Sequence, residues 1–197
     1  MRPPALGRTY ALATAFIATV VVTVLPAPVH AVTGGAGVPP PPPPPSPAPG
    51  TGGTGVGTVP GDKAQLSPDG RIAIPPASAP VEVRNAVYAA NKITNKPYRY
   101  GGGHRRFRDS GYDCSGSVSY ALRGGKFISR PLHSTAFMRW GEPGPGQWIT
   151  VYTNPGHAYA IIAGLRFDTS GPGESGPRWR RSARSSSAYS ARHPDGF

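Results

Sequence analysis

The chain has 197 residues, including 27 glycines and 26 prolines, and such an excess without a fixed period is typical of a chain that is partly low-complexity. Collagen is excluded because glycine does not recur at every third position, and the remainder fits one ordinary domain at most. The formal charge of +12 favours an anionic partner: nucleic acid, acidic lipid or an acidic cell-wall polymer. The single cysteine, Cys114, excludes an internal disulfide.

The first part of the chain predicts export followed by a spacer. Residues 1–31 resemble a secretory signal peptide, with Arg2 and Arg8 before an uncharged apolar run. That run, about sixteen residues long, is shorter than the roughly twenty that span a bilayer. We therefore expect cleavage after Ala31 and a secreted protein, with an uncleaved anchor as the alternative. Residues 32–77 are predicted to be a disordered Pro/Gly-rich linker, with a docking site for a proline-recognising partner as the alternative.

Residues 78–197 are predicted to form the folded domain. An apolar stripe at helical spacing predicts a first helix that begins near Pro80 and ends before Pro97. A second helix is expected from about Asp113 to Leu122, before a pair of glycines.

The pattern then becomes strand-like. Strands are predicted at 147–152, 157–163 and 165–169, with a hairpin turn near Gly164. This order predicts an α+β fold in which the N-terminal helices pack on a small antiparallel sheet.

Cys114 stands at the predicted start of the second helix. The partial positive charge of a helix N-terminus stabilises a thiolate, which makes the sulfur a better nucleophile near neutral pH. The N–H groups there can also stabilise an oxyanion. The sulfur shares a face with Val118, Ala121 and Leu122, so we expect it to point toward the sheet.

His157 is the best candidate for a general base because it begins the most apolar strand of the chain. A two-residue turn at Ala163 and Gly164 would place Asp168 opposite Tyr159, within diagonal reach of His157. Asp168 is therefore expected to orient the imidazole. A less specific interpretation makes Cys114 a small buried apolar residue and His157 an ordinary strand residue.

Three segments together resemble a known family. They are Pro97-Tyr98-Arg99-Tyr100-Gly101-Gly102, then Asp113-Cys114-Ser115-Gly116, and Gly156-His157-Ala158 at the head of the apolar strand. Over roughly residues 82–170 the chain resembles the NlpC-type family of papain-like bacterial cell-wall cysteine peptidases. The resemblance implies a papain-like fold and hydrolysis of peptide bonds in peptidoglycan stems, commonly between D-glutamate and the diamino acid, without metal or cofactor.

The resemblance also implies roles for individual residues. Cys114 would be the nucleophile and His157 the base. Tyr98 would match the family tyrosine beside the sulfur, and Asp113 and Ser115 would help to hold the free amino end of the stem peptide.

The sequence departs from the family pattern at two places that affect the site. The third polar residue is usually His, Asn or Gln about twelve positions after the base, where this chain has Thr169, with Asp168 one position earlier. The loop from Gly103 to Tyr112 is longer and more basic than a minimal member needs, which predicts an altered substrate groove.

The excess positive charge has two interpretations. Arg105 or Arg108 could receive the carboxylates of a stem peptide, because guanidinium groups bind carboxylates in a bidentate manner. The favoured alternative is solvated charge that keeps the protein near anionic cell-wall polymers. Nucleic-acid binding is disfavoured because the chain carries an export signal and no recognised nucleic-acid module.

The leading prediction is a secreted, monomeric cysteine peptidase of the cell wall that needs no metal or cofactor and has no stable membrane span after signal cleavage. One alternative is a non-catalytic wall-binding module with the same fold. Another is a related amidase or acyltransferase that uses the same Cys114 and His157 on a different acyl substrate.

Overall fold

The computed structural model describes residues 57–171, 175–181 and 183–197. The predicted signal peptide and the linker up to residue 56 lie outside the described residues. Within the described part of the chain, no helix combines the length and the apolar character needed to cross a membrane.

Three helices and eight strands make up the described structure. In chain order they are β1 (Gln65–Leu66), β2 (Ala73–Ile74), α1 (Val81–Asn91), α2 (Cys114–Gly124), α3 (Ser134–Phe137), β3 (Glu142–Pro143), β4 (Ile149–Asn154), β5 (His157–Ile162), β6 (Leu165–Asp168), β7 (Arg178–Arg180) and β8 (Ser190–His193).

The main sheet has six antiparallel strands in the order β3-β8-β4-β5-β6-β7. Helix α1 packs on α2, and α2 packs on β5 at the centre of the sheet. The prediction of an α+β class with helices and an antiparallel sheet is therefore confirmed. The helices cover the central strands because their apolar residues need a partner surface to leave water.

Both predicted helices are present. The apolar stripe of α1 is buried, with Val83, Ala86, Val87 and Ala90 all inaccessible to solvent. Helix α2 begins where its cap allows, because the Asp113 carboxylate accepts a hydrogen bond from the Gly116 N–H at 2.8 Å.

The β5–β6 hairpin has the predicted register. Ile162 pairs with Leu165 across a two-residue turn, and Ala160 pairs with Phe167. The turn residues Ala163 and Gly164 have φ values of 46° and 79°, which is the left-handed backbone that such tight hairpins need. Continuing the ladder by one residue brings Asp168 opposite Tyr159.

The domain extends to residues before the predicted boundary at residue 78. Residues 57–77 include the β1–β2 hairpin, and Ala64 and Ala73 are buried in the core. The Ala64 N–H donates to the Ala163 carbonyl at 2.8 Å, and the Ala73 N–H donates to the Asn91 side chain at 2.9 Å. The second half of the predicted linker is thus part of the domain, because a few small apolar residues within it find partners in the core.

The C-terminal segment (residues 178–197) contributes strands that the sequence analysis did not predict. Strand β7 extends the sheet beside β6, and β8 lies between β3 and β4. Trp179 on β7 is buried against Phe167, with ring centroids 4.9 Å apart. This segment is therefore built into the same sheet that carries His157.

Candidate active site

Cys114 is the first residue of α2 and is 8% exposed. The first backbone N–H groups of a helix have no partner within the helix, so those of Cys114 and Ser115, at the start of α2, are not used by the helix itself. The Cys114 Sγ also lies 3.9 Å from the Ser134 Oγ at the start of α3. As the sequence predicts, the helix places the thiol against the sheet, beside β5.

The side chains of Cys114 and His157 shift each other's pKa. Burial raises the pKa of the Cys114 thiol, but hydrogen bonds from the His157 side chain and the Ala158 backbone N–H outweigh burial and bring that pKa below its ordinary value. Burial lowers the pKa of His157, but hydrogen bonds to Asp168 and Cys114 raise it to about 9. The two shifts favour a thiolate beside an imidazolium at neutral pH.

The Asp168 side chain is completely buried and accepts a hydrogen bond from His157. The Asp168 Oδ1 lies 2.9 Å from the His157 Nε2 and also accepts from the Ser170 N–H at 2.9 Å. Because Nε2 is used by Asp168, the Nδ1 atom of the same ring is left for the thiol. Burial raises the pKa of Asp168, but the hydrogen bonds from His157 and the Ser170 N–H outweigh burial and bring that pKa below its ordinary value, so the carboxylate remains charged.

Thr169, at the position where the family has its third polar residue, is 5% exposed. Asp168 bonds to the imidazole because it ends β6 on the same face of the sheet as His157. The diagonal contact expected from the hairpin register is therefore present.

Tyr98 is 44% exposed near Cys114. Partial burial raises the pKa of Tyr98, and the negative charges of Cys114 and Asp113 raise it further. The structure thus brings Tyr98 to the surroundings of the thiol. Its role in substrate binding remains a prediction.

Asp113 and Ser115 are buried, at 4% and 1% exposure, and both are hydrogen-bonded to His104. The His104 Nε2 lies 2.8 Å from the Asp113 Oδ2 and 2.9 Å from the Ser115 Oγ. The Asp113 carboxylate also accepts from the Gly101 N–H at 3.1 Å. A substrate amino group would have to compete with these donors, so the predicted role of this pair requires His104 to move.

His104 lies in the basic loop from Gly103 to Tyr112, and the sequence analysis did not predict its contact with Asp113. No spacing rule connects a loop histidine to a helix cap nine residues later. The exposed Arg105 and Arg108 lie on the same loop, and neither is brought to Cys114 by a contact within the described residues.

Arg184 and Tyr189, in the C-terminal segment, also reach the site. The Arg184 guanidinium lies 3.3 Å from the Asp168 Oδ2, and the Tyr189 ring centroid lies 6.3 Å from that of His157. Sequence analysis missed both because the contact depends on strand β8 returning to the sheet, and the short β8 carries no strong strand pattern.

No group of three or more His, Cys, Asp or Glu side chains that could hold a metal ion occurs among residues 57–171, 175–181 and 183–197. The side chains of the site can themselves support nucleophilic chemistry. A charged thiol can attack a carbonyl carbon, an adjacent imidazolium can donate a proton to the leaving group, and helix N–H groups can stabilise the oxyanion.

No family model matches the sequence, and no curated protein matches it significantly.

Proposed function

We propose that this chain is a secreted cysteine peptidase with a papain-like fold, and that it hydrolyses amide bonds in peptidoglycan stem peptides. The observation that carries the proposal is the coupling of three side chains: Cys114 and His157 shift each other's pKa, lowering that of the thiol and raising that of the imidazole, and His157 is hydrogen-bonded to the buried Asp168 at 2.9 Å. A buried structural cysteine has no need of such partners.

The reaction follows from this arrangement. The Cys114 thiolate attacks the amide carbonyl carbon, and the carbonyl electrons move to an oxyanion beside the first N–H groups of α2. His157 donates its proton to the amide nitrogen as the C–N bond breaks, so the amine leaves and a thioester remains. His157, now neutral, takes a proton from water, which attacks the thioester and releases the acid and the thiolate.

Asp168 keeps the imidazole ring in the orientation that this proton transfer requires. Its Oδ1 accepts a hydrogen bond from the His157 Nε2 at 2.9 Å, which leaves Nδ1 as the atom that exchanges a proton with substrate and water. Its negative charge also stabilises the imidazolium that precedes amine departure.

The choice of substrate rests on the sequence motifs and on charge. The Tyr98 and Asp-Cys-Ser segments resemble those of cell-wall peptidases, and the formal charge of +12 suits attachment to an anionic wall. The predicted signal peptide supports action outside the cytoplasm.

Digestion of muropeptides by the purified full chain tests the proposal. Mass spectrometry is expected to show stem-peptide fragments with wild type and none with C114A. Binding to purified wall without cleavage would favour the wall-binding alternative, and release of a product other than a stem-peptide fragment would favour the amidase or acyltransferase. Equal cleavage by C114A would contradict all roles proposed for the thiol.

A further inference from the structure

A guanidinium from the C-terminal segment holds the side of Asp168 that faces away from His157. The Arg184 Nη1 donates to the Asp168 Oδ2 at 3.3 Å and also to the Ser170 Oγ. The Arg184 Nη2 donates to the Tyr189 hydroxyl at 2.8 Å. One side chain therefore connects the carboxylate with two neighbouring hydroxyl groups.

The two oxygens of Asp168 have separate partners. Oδ1 accepts hydrogen bonds from the His157 Nε2 and the Ser170 N–H, both at 2.9 Å, whereas Oδ2 accepts one from Arg184. The last torsion of an aspartate side chain is broad and roughly two-fold, so a carboxylate held through one oxygen can still rotate. A donor on the second oxygen restricts that rotation and fixes the direction of the bond to His157.

Arg184 is itself fixed by aromatic rings. Its guanidinium carbon lies 5.5 Å from the ring centroids of both Tyr159 and Tyr189, at a distance typical of cation–π contacts. The two rings meet edge to face with centroids 5.2 Å apart. A planar guanidinium fits this position, and a lysine ammonium cannot reproduce both its stacking and its paired donors.

Other positive groups also surround Asp168. His157 faces it from β5, the Arg166 Nε lies 3.7 Å from Oδ2 on its own strand, and Arg180 on β7 interacts with its charge. These groups favour the charged form of the carboxylate, as Arg184 also does. What Arg184 adds is geometric, because its guanidinium holds Oδ2 and thereby orients Asp168.

We propose that Arg184 is a positioning residue for the peptidase reaction, and that residues 183–197 thereby complete the active site. This inference rests on the proposed function, because it assigns Arg184 a role in the same Cys114 and His157 chemistry.

The test compares R184M, R184K and R181M in the full chain. Arg181 is an exposed residue of the same segment, and its guanidinium reaches the Ser67 carbonyl, away from Asp168. Because a charge-assisted hydrogen bond is lost, kcat for muropeptide cleavage is expected to fall about tenfold or more in R184M. KM is expected to stay within about twofold, since no substrate contact is removed. R184K should regain part of the activity at most, and R181M should behave as wild type.

Alkylation of Cys114 by iodoacetamide gives a readout that does not depend on the substrate. If Asp168 is wrongly oriented, it stabilises the imidazolium less, and the thiolate that the imidazolium stabilises becomes less populated. Cys114 in R184M should therefore react several-fold more slowly than in R181M at pH 6.5. If wild type cleaves no muropeptide, the proposed function fails, while the alkylation rates still test Arg184.

Two results would overturn the inference. One is an R184M variant whose kcat and alkylation rate equal those of R181M, even if its melting temperature is lower, because that outcome describes a structural contact only. The other is an R184K variant with full wild-type activity, which would show that the paired donors of a guanidinium are not needed.

Discussion

Replacement of Asp168 by asparagine changes a single functional group at the position that controls His157. The side chain keeps its size, but it loses the buried negative charge whose Oδ1 accepts a hydrogen bond from the His157 Nε2 at 2.9 Å. The pKa of His157, raised to about 9 in the native protein, is expected to fall toward the ordinary value of about 6.5. In this variant burial still lowers the pKa of His157 and the Cys114 thiolate still raises it. Because these two effects oppose each other, we use the ordinary value.

The size of the effect follows from these two values. At pH 8 an imidazole with a pKa of about 9 is about nine-tenths protonated, whereas one with a pKa of about 6.5 is about 3% protonated. The loss of imidazolium alone should therefore reduce kcat/KM at pH 8 about thirtyfold in D168N, since one pH unit changes the ratio of the two forms about tenfold.

The assay is kcat/KM for muropeptide cleavage between pH 5 and 10. The alkaline limb of the profile should move from near pH 9 to lower pH in D168N. D195N is the matched control, because Asp195 is exposed near the C-terminus and its replacement also removes one negative charge. An alkaline limb that stays in place, with a rate at pH 8 close to that of D195N, would refute the reasoning.

Two further predictions concern stability. A methyl group at Gly116 would overlap the backbone oxygen of Gly102, so G116A should lower the free energy of unfolding, measured by chemical denaturation, by about 1–3 kcal/mol. G156A is the control, because a methyl group there would meet only the Asn154 Oδ1 at 3.8 Å. Its free energy of unfolding should be close to that of wild type. The folded-state pKa of Asp168 lies below 3.8, so the contribution of its charge to stability is fully present above that pH and is lost as pH falls through the folded-state value. Between pH 2 and 6, the free energy of unfolding measured in urea should therefore fall more steeply with decreasing pH for wild type than for D168N. An equally steep fall in the two proteins would contradict this assignment.

Local patterns in the sequence were sufficient to predict the centre of the site. The apolar stripe defines α1, the Asp113 cap defines the start of α2, and the two-residue turn at Ala163 and Gly164 determines the pairing of β5 with β6. Register then determines which side chains share a face. The contact between His157 and Asp168 could therefore be predicted without a structure.

The surroundings of the site depend on contacts between distant segments, and these were missed. Arg184 reaches Asp168 because β8 pairs with β4, and no local pattern of three or four residues encodes that pairing. His104 reaches Asp113 through the fold of a glycine-rich loop. In residues 57–77 the composition suggested disorder, but Ala64 and Ala73 are buried because the rest of the domain offers them a surface.

The central claim is that Cys114 and His157 form a charged nucleophilic pair, and the pH dependence of Cys114 alkylation tests it most directly. Because the pKa of the thiol is lowered, the alkylation rate of the full chain is expected to rise at a pH below the ordinary cysteine range. H157Q should move the transition back toward that ordinary range, since the hydrogen bond and the charge of His157 that lower the pKa of the thiol are then lost. A wild-type thiol that titrates as an ordinary cysteine, or one that is unchanged by H157Q, would contradict the account.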